Sequence, residues 1–318
     1  MSAPHVLFVK LSSLGDVVHH FPAVSDLRGE RPEAHISWIV EEAYAALVKL
    51  HPAVREVISL NLRQLRGNVL HFSEWRRLRT AQRALRGRHW DFVIDTQGLL
   101  KSATVARLAR GSAVFGFDRK SARERLAARA YDVGIRVSRE LHAVERNRRL
   151  VAEVFGYRLQ GEACYGLESP AAPPAWAPQR PYVVLLHAAS RAAKRWPESH
   201  WRELGSWLTE RGYAVVFPGG STEERATAER LAAAIPGAMA APAIGLDEAA
   251  ALLAHAAAVA GLDTGLTHLA LALGRPTVGI YCATDPQLTG LHGGARAVNV
   301  GGVGQTPSVA QVAASLDL

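Results

Sequence analysis

AAVAGLDTGLTHLALALGRPTVGIY, residues 257–281, decides the fold. Ala257–Gly261 is a run of small apolar residues that reads as a buried strand. Residues 265–273 read as a helix and Thr277–Tyr281 as a second apolar strand. A strand, a helix and a strand in that order point to a parallel sheet covered by helices. The same alternation runs outward from this stretch. Towards the N terminus of this half, Pro181–His187 and Tyr213–Phe217 read as strands, and 198–211, 222–234 and 247–256 as helices. A last helix is expected over 306–316. The first half repeats the scheme: strands at Val6–Val9, His35–Val40, Glu56–Leu60 and Asp91–Asp95, and helices over 16–29 (interrupted at Pro22), 74–87, 99–110 and 142–156. Between the halves, Gly161, Pro170, Pro173, Pro174, Pro178 and Pro181 break any regular element. A length of 318 residues suits two cores, so two α/β domains are expected, 1–165 and 166–318.

Ligands of such sheets bind beyond the carboxyl ends of the strands. The loops after Val9, Leu186, Phe217, Gly261 and Tyr281 are therefore where chemistry is sought. In Asp263-Thr264-Gly265 a strand end runs directly into a helix, whose first amides and dipole suit a diphosphate. Read alone, Asp-Thr-Gly also matches aspartic proteases, but that chemistry needs an all-β fold, which the alternation denies. His268, in the first turns of this helix, is equally readable as a ligand contact or a packing histidine. Upstream, Ser190 offers a hydroxyl and Lys194, the only lysine of its half, a point charge for phosphate. Glu224 is readable as a ribose acceptor or as the partner of Ser221 in a capping box. In the first loop, Lys10 to Asp16, small polar residues and Gly15 lead into a helix. Asp16 is a helix cap by spacing and a general base only if it faces a cleft.

The charge is unevenly placed. Residues 1–170 hold 27 Lys+Arg against 18 Asp+Glu, whereas 171–318 hold 10 against 11. The cation excess lies wholly in the first half, which points to an anionic partner there. A GC-rich genome explains the preference for Arg over Lys but not this placement. Two isolated cysteines, Cys164 and Cys282, give neither a disulfide framework nor a zinc site. A membrane-spanning run and a secretory start are both missing from the sequence, and a cytoplasmic protein is expected.

Together these segments resemble the lipopolysaccharide heptosyltransferases of glycosyltransferase family 9. The stretches that carry the resemblance are Val9-Lys10 with Ser12-Ser13-Leu14-Gly15-Asp16-Val17, Val40-Glu41-Glu42, and Gln97-Gly98-Leu99 with Lys101-Ser102-Ala103. They continue with His142 to Arg146, Lys194 with Trp196-Pro197, His200 to Leu204, Asp263 to Leu269 and Thr284-Asp285-Pro286. The resemblance implies a GT-B fold, two Rossmann-like domains facing across a cleft. It implies inverting transfer of L-glycero-D-manno-heptose from ADP-heptose to the Kdo of Kdo2-lipid A, with Asp16 as general base. It also implies donor contacts at Ala189, Ser190, Lys194, Glu224, Ile244, Asp263, Thr264, Gly265 and His268. Where the family has two threonines this chain has Ala189-Ser190, so Ala189 can contribute only its backbone. Arg63, Arg66, Lys101, Arg123 and Arg146 are candidate contacts to the anionic acceptor. No cofactor, metal or nucleic acid is expected, and the enzyme would sit peripherally on the anionic inner leaflet.

Three other readings remain at this point. One is a related transferase adding a second heptose or another sugar. Another is a nicotinamide-dependent dehydrogenase, disfavoured because Gly-x-Gly-x-x-Gly is missing after the first strand. The last is a non-catalytic binder of lipid A or nucleic acid, which would leave the strand–helix junction at Asp263 without a purpose.

Overall fold

The computed structural model describes residues 3–61, 83, 85–189, 191–294 and 296–318. Arg63, Arg66 and Ser190 lie outside the described residues, as does most of the basic helix expected over 74–87. The chain divides into two compact units, Met1–Gly166 and Leu167–Leu318.

The first unit runs β1 (His5–Val9), α1 (Leu14–Val18), α2 (Phe21–Glu30), β2 (His35–Glu41), α3 (Ala45–Val48), β3 (Val54–Leu60), β4 (Phe92–Asp95), α4 (Leu100–Leu108), β5 (Val114–Phe117), β6 (Val133–Ile135) and α5 (Ala143–Phe155). Among the described residues its six strands are parallel, in the order β3-β2-β1-β4-β5-β6. Strand β1 is apolar from Val6 to Val9 because both faces of the sheet are covered. Leu7, Val9, Ile39, Trp90 and Val93 are at the centre of one core cluster. The single helix expected over 16–29 is two, α1 ending at Val18 and α2 beginning at Phe21. Pro22 falls in the first turn of α2, where its missing N–H breaks no helical bond. Helix α5 buries Val144, Leu150 and Val151 and stops at Gly156, whose φ of 69° is the left-handed stop that glycine adopts freely. Burying a Leu or Val side chain of this kind stabilises by about 1.5–3 kcal/mol. Arg148 of α5 adds a buried fork to α2, its Nε 2.7 Å from Asp26 Oδ2.

The second unit runs β7 (Tyr182–Leu186), α6 (Glu198–Glu210), β8 (Ala214–Phe217), α7 (Thr222–Ala233), β9 (Ala238–Ala240), α8 (Leu246–Ala254), β10 (Ala258–Leu262), α9 (Gly265–Ala272), β11 (Thr277–Tyr281), α10 (Pro286–Thr289), β12 (Ala297–Gly301) and α11 (Val309–Ser315). Its sheet is also parallel and six-stranded, in the order β12-β11-β10-β7-β8-β9. Counted from its own first strand, that order repeats the one in the first unit. Val183, Leu185, Trp201, Leu204, Phe217 and Leu262 share its core.

In each unit the strand order reverses between the first and fourth strands. There the connections leave to opposite sides and open a crevice at the strand ends. The switch points are β1/β4 and β7/β10. Among the described residues, no helix is long and apolar enough to cross a membrane.

Candidate functional site

The β1/β4 switch point of the first unit is built on a buried carboxylate. Asp95, the last residue of β4, accepts the amides of Gln97 (2.8 Å) and Gly98 (3.2 Å) and the hydroxyls of Ser102 (2.7 Å) and Tyr131 (2.8 Å). Burial pushes its carboxyl above the ordinary value against these donors. The turn so formed aims Gln97 at the neighbouring loop. Gln97 Oε1 accepts the Leu11 amide at 2.8 Å, and its Nε2 donates to the Ser12 carbonyl at 2.8 Å. Gly98 has φ 68°, and a Cβ there would stand 3.3 Å from the Arg123 nitrogen. Glycine thus lets the loop after β5 approach closely.

That approach delivers Arg123 to Asp16. Arg123 Nη1 donates to Asp16 Oδ2 at 3.0 Å and Nη2 donates to Oδ1, a two-pronged ion pair. Asp16 Oδ2 also accepts the Ser13 amide at 3.2 Å, so the capping role exists beside the ion pair. Burial pushes the Asp16 carboxyl up. The charges of Lys10 and Arg123, with the arginine's hydrogen bonds, outweigh that and hold it well below the carboxylate range. Lys10 is itself buried. Its Nζ donates to the Thr96 carbonyl at 2.8 Å and to Asn147 Oδ1 at 3.2 Å. Burial lowers it to about 7, against the attraction of Asp16. Arg146, in the first turn of α5, donates to the Ser121 carbonyl at 2.5 Å, and its guanidinium lies 4.7 Å from the Phe117 ring centre. Burial and the nearby Arg123 and Arg139 bring it down to about 10. Lys10, Thr96, Phe117, Arg123, Arg146 and Asn147 line one small cavity. Lys101 reaches the same loop from α4, with Nζ 2.6 Å from Ser12 Oγ and 3.4 Å from Glu41 Oε1. Lys101, Arg123 and Arg146 are thus gathered around Asp16 and its loop.

The β7/β10 switch point of the second unit is equipped differently. Helix α9 starts at Gly265, with only Asp263 and Thr264 between it and the end of β10. The Thr264 hydroxyl turns to Thr267 Oγ1, 3.3 Å away, rather than back onto the first-turn amides. Lys194, at the end of a short 3₁₀ turn after β7, donates to Asp263 Oδ2 at 2.6 Å. Thr284 Oγ1 donates to the same oxygen at 2.8 Å, and His268 Nε2 is 3.5 Å from Oδ1. Burial raises the Asp263 carboxyl, while the His268, Lys194 and Thr284 bonds and the lysine charge hold it well below its ordinary value. Lys194, Asp263, Thr264, Gly265 and His268 therefore form one cluster at a helix N terminus, a place suited to a diphosphate.

Glu224 stands apart from that cluster in its hydrogen bonding. Its Oε2 accepts the Gly220 and Ser221 amides at 2.8 and 2.9 Å, and Ser221 Oγ accepts the Glu224 amide at 3.2 Å, a full capping box on α7. His187 Nε2 lies 3.2 Å from the Glu224 carbonyl, and both residues, with Ala189 and Trp196, line a second cavity. Ala189 is buried in the core. Ile244 is half-buried just before α8.

Asp95, Gln97, Asn147 and Thr284 have no separate role in the reading of the sequence. Gln97 and its partner Leu11 are 86 residues apart, and Lys10 and Asn147 are 137 apart. For Asp95 and Gln97 the available signal was positional: polar residues at and just after the end of β4, a strand that flanks a switch point.

A model of glycosyltransferase family 9 (heptosyltransferase) matches residues 77–315. Lipopolysaccharide heptosyltransferase 1 of Pseudomonas aeruginosa is 43% identical over 292 residues, 91% of this chain and 81% of that protein. The protein of the same description from Escherichia coli K12 is 39% identical over 292 residues, 91% of both chains. The solved structure of E. coli heptosyltransferase WaaC with ADP superposes with a TM-score of 0.88 at 35% identity, covering 97% of each chain. Its two-domain α/β fold of the GT-B type is the fold described above. The chain belongs to glycosyltransferase family 9, the heptosyltransferases.

Proposed function

We propose that this enzyme transfers L-glycero-D-manno-heptose from ADP-heptose to the Kdo of Kdo2-lipid A, with inversion at the anomeric carbon, in building the lipopolysaccharide inner core. One observation carries the reading: equivalent switch points of two like units hold different equipment, a many-cation cluster in one and a single lysine at a helix N terminus in the other. The first has a carboxylate, Asp16, among the cations Lys10, Arg123 and Arg146. The second has a lysine and a helix N terminus, at Lys194 and Gly265. In the reaction the acceptor hydroxyl oxygen bonds to the heptosyl C1 as the bond from C1 to the β-phosphate oxygen breaks. The electron pair leaves with ADP, and the hydroxyl proton passes to Asp16. Lys194 and the first amides of α9 stabilise the charge that grows on the diphosphate. Thr264 and His268 flank it, and Ser190, Ala189, Glu224 and Ile244 serve the rest of the nucleotide. Lys101, Arg123 and Arg146, with Arg63 and Arg66, receive the carboxylates and phosphates of the acceptor. The cation excess of residues 1–170 suits work at the cytoplasmic face of an anionic membrane.

The test is ADP release from ADP-heptose in the presence of Kdo2-lipid A. Turnover is expected for the intact enzyme, and Asp16→Ala should lower it by about 10²-fold or more while ADP-heptose affinity is retained. A folded enzyme that releases no ADP would reject the reaction; near-normal turnover of the variant would remove Asp16 from the base role.

A further inference from the structure

In the free enzyme the residue proposed as base is already engaged. Both Asp16 oxygens are taken by one guanidinium, that of Arg123, and a carboxylate so held is a poor proton acceptor. Two features make the engagement exchangeable. Arg123 comes from the loop after β5 and keeps 37% of its side chain open to solvent, while Asp16 is 15% open. Asp16 also has an independent anchor, the Ser13 amide, which keeps its position if the arginine leaves. Beside the pair, Lys10 and Arg146 face the same small cavity as Arg123. Among the described residues, the buried Nε of Arg146 has no hydrogen-bond partner. An anion entering there meets the guanidiniums of Arg123 and Arg146 with the Lys10 amine beside them, where Asp16 alone offers one negative charge.

We propose that Arg123 is a positioning residue that silences Asp16 until the carboxylate of the acceptor sugar draws the guanidinium away. This rests on the heptosyl-transfer reading above. The occupant is a carboxylate because Kdo carries one on the same ring as the hydroxyl that attacks C1, whereas the lipid phosphates sit on other sugars. Release of Arg123 leaves Asp16 anchored by Ser13 and restores its basicity beside the hydroxyl. The arrangement ties base activation to the arrival of acceptor, and so protects the donor from water. Without it, a water oxygen would bond to C1, the bond from C1 to the β-phosphate oxygen would break with its electrons going to ADP, and the water proton would pass to Asp16.

The groups that face Asp16 set the pH behaviour. They are Lys10 after β1, Arg123 after β5 and His19 beyond α1; Arg146 of α5 and Asp95 of β4 act one step further out, on Arg123 and Lys10. Removing Arg123 takes away a charge that lowers the Asp16 carboxyl, so the carboxyl rises. Activity that needs the carboxylate then falls as pH falls, starting at a higher pH than in the native enzyme. In kcat/KM this reports the free enzyme.

The experiment compares native enzyme, Arg123→Gln and Arg123→Lys, each first shown to bind ADP-heptose by calorimetry. Acceptor-free ADP release should rise about tenfold in Arg123→Gln, a fraction of the factor that a freed general base supplies, and should stay low in Arg123→Lys, which keeps the charge. The acid limb of kcat/KM with Kdo2-lipid A should move up only in Arg123→Gln. With the native enzyme, an acceptor whose Kdo carboxyl is a methyl ester should lose kcat more than affinity. Unchanged acceptor-free release together with an unmoved acid limb in Arg123→Gln would overturn the proposal. Full turnover of the methyl ester would overturn the carboxylate trigger. If the native enzyme itself fails to turn over Kdo2-lipid A, the transfer reading has failed instead, and the shared native control separates the two results.

Discussion

Lys194 and Asp263 meet at 2.6 Å with side chains 18% and 10% exposed, so their pairing is shielded from salt far better than a surface bridge. Thr284 and His268 satisfy the rest of the carboxylate. The lysine therefore serves folding as well as the proposed diphosphate contact, and one substitution should expose both roles. Lys194→Met removes the charge while keeping most of the stem. It should weaken ADP and ADP-heptose binding by about tenfold or more, the size of one charge-assisted bond, and cost about 3 kcal/mol of stability by leaving a shielded carboxylate short of its cation. The pH signature follows from linkage. The Asp263 carboxyl is depressed in the folded protein, so its contribution is complete above the ordinary Asp value and is lost as pH falls through the folded one. In Lys194→Met the folded value rises, so the loss of stability as pH falls below about 4 should shrink relative to the native enzyme. Denaturant midpoints at about pH 5 and about pH 3, on either side of the ordinary Asp value, measure it, and an equal drop in both proteins would deny the lysine this role.

The loop Leu11–Ser12 and the turn Gln97–Gly98 act as one element, because the Gln97 amide ties one to the other by an acceptor and a donor. Gln97→Leu would strand the Leu11 amide and the Ser12 carbonyl in a buried place, at a cost of about 3 kcal/mol, and would loosen the start of α1, where Asp16 sits. Gln97→Glu keeps the acceptor but not the donor, so melting and kcat should rank native, Glu, Leu. A Leu variant that melts and turns over like the native enzyme would show that the clasp positions nothing. No spacing in the chain announces such a clasp, since its halves are 86 residues apart. The Asp16–Arg123 pair spans 107 residues, and for that reason the local pattern left Asp16 between cap and base. The cluster at Asp263 was more legible because a strand end, the carboxylate and a helix start are consecutive there. Strands divide in the same way. HVLFV, YVVLL and TVGIY lie inside their sheets and are apolar over nearly their whole length, so they were legible. VGI, AMA and AVNVG are sheet edges with exposed or half-buried positions and lack that run. VFGF is one strand in from an edge, and is interrupted by Gly116 where a Cβ would strike the Tyr131 ring.

Two units with one strand order carry very different charge. Residues 1–170 carry nine more cations than anions, and residues 171–318 one fewer. Topology alone would allow either switch point to bind either substrate, so the division of labour is written in charge. That division predicts how salt acts on the enzyme. An acceptor rich in phosphate and carboxylate is steered by a many-charged field, whose reach shrinks from about 10 Å at 0.1 M salt to about 3 Å at 1 M. On the proposed assignment, the donor diphosphate meets a near-neutral unit whose cation is already shielded beside Asp263. Raising salt from 50 to 500 mM should therefore lower kcat/KM for Kdo2-lipid A steeply, by about tenfold or more. The change for ADP-heptose, measured at saturating acceptor, should be several times smaller. Detergent-dispersed acceptor makes the comparison free of membrane binding. Equal salt slopes for the two substrates would mean that the cation excess serves something other than acceptor capture. A steep slope for the acceptor that persists in Arg123→Gln would assign the steering to the field of the whole unit rather than to the one arginine at the base.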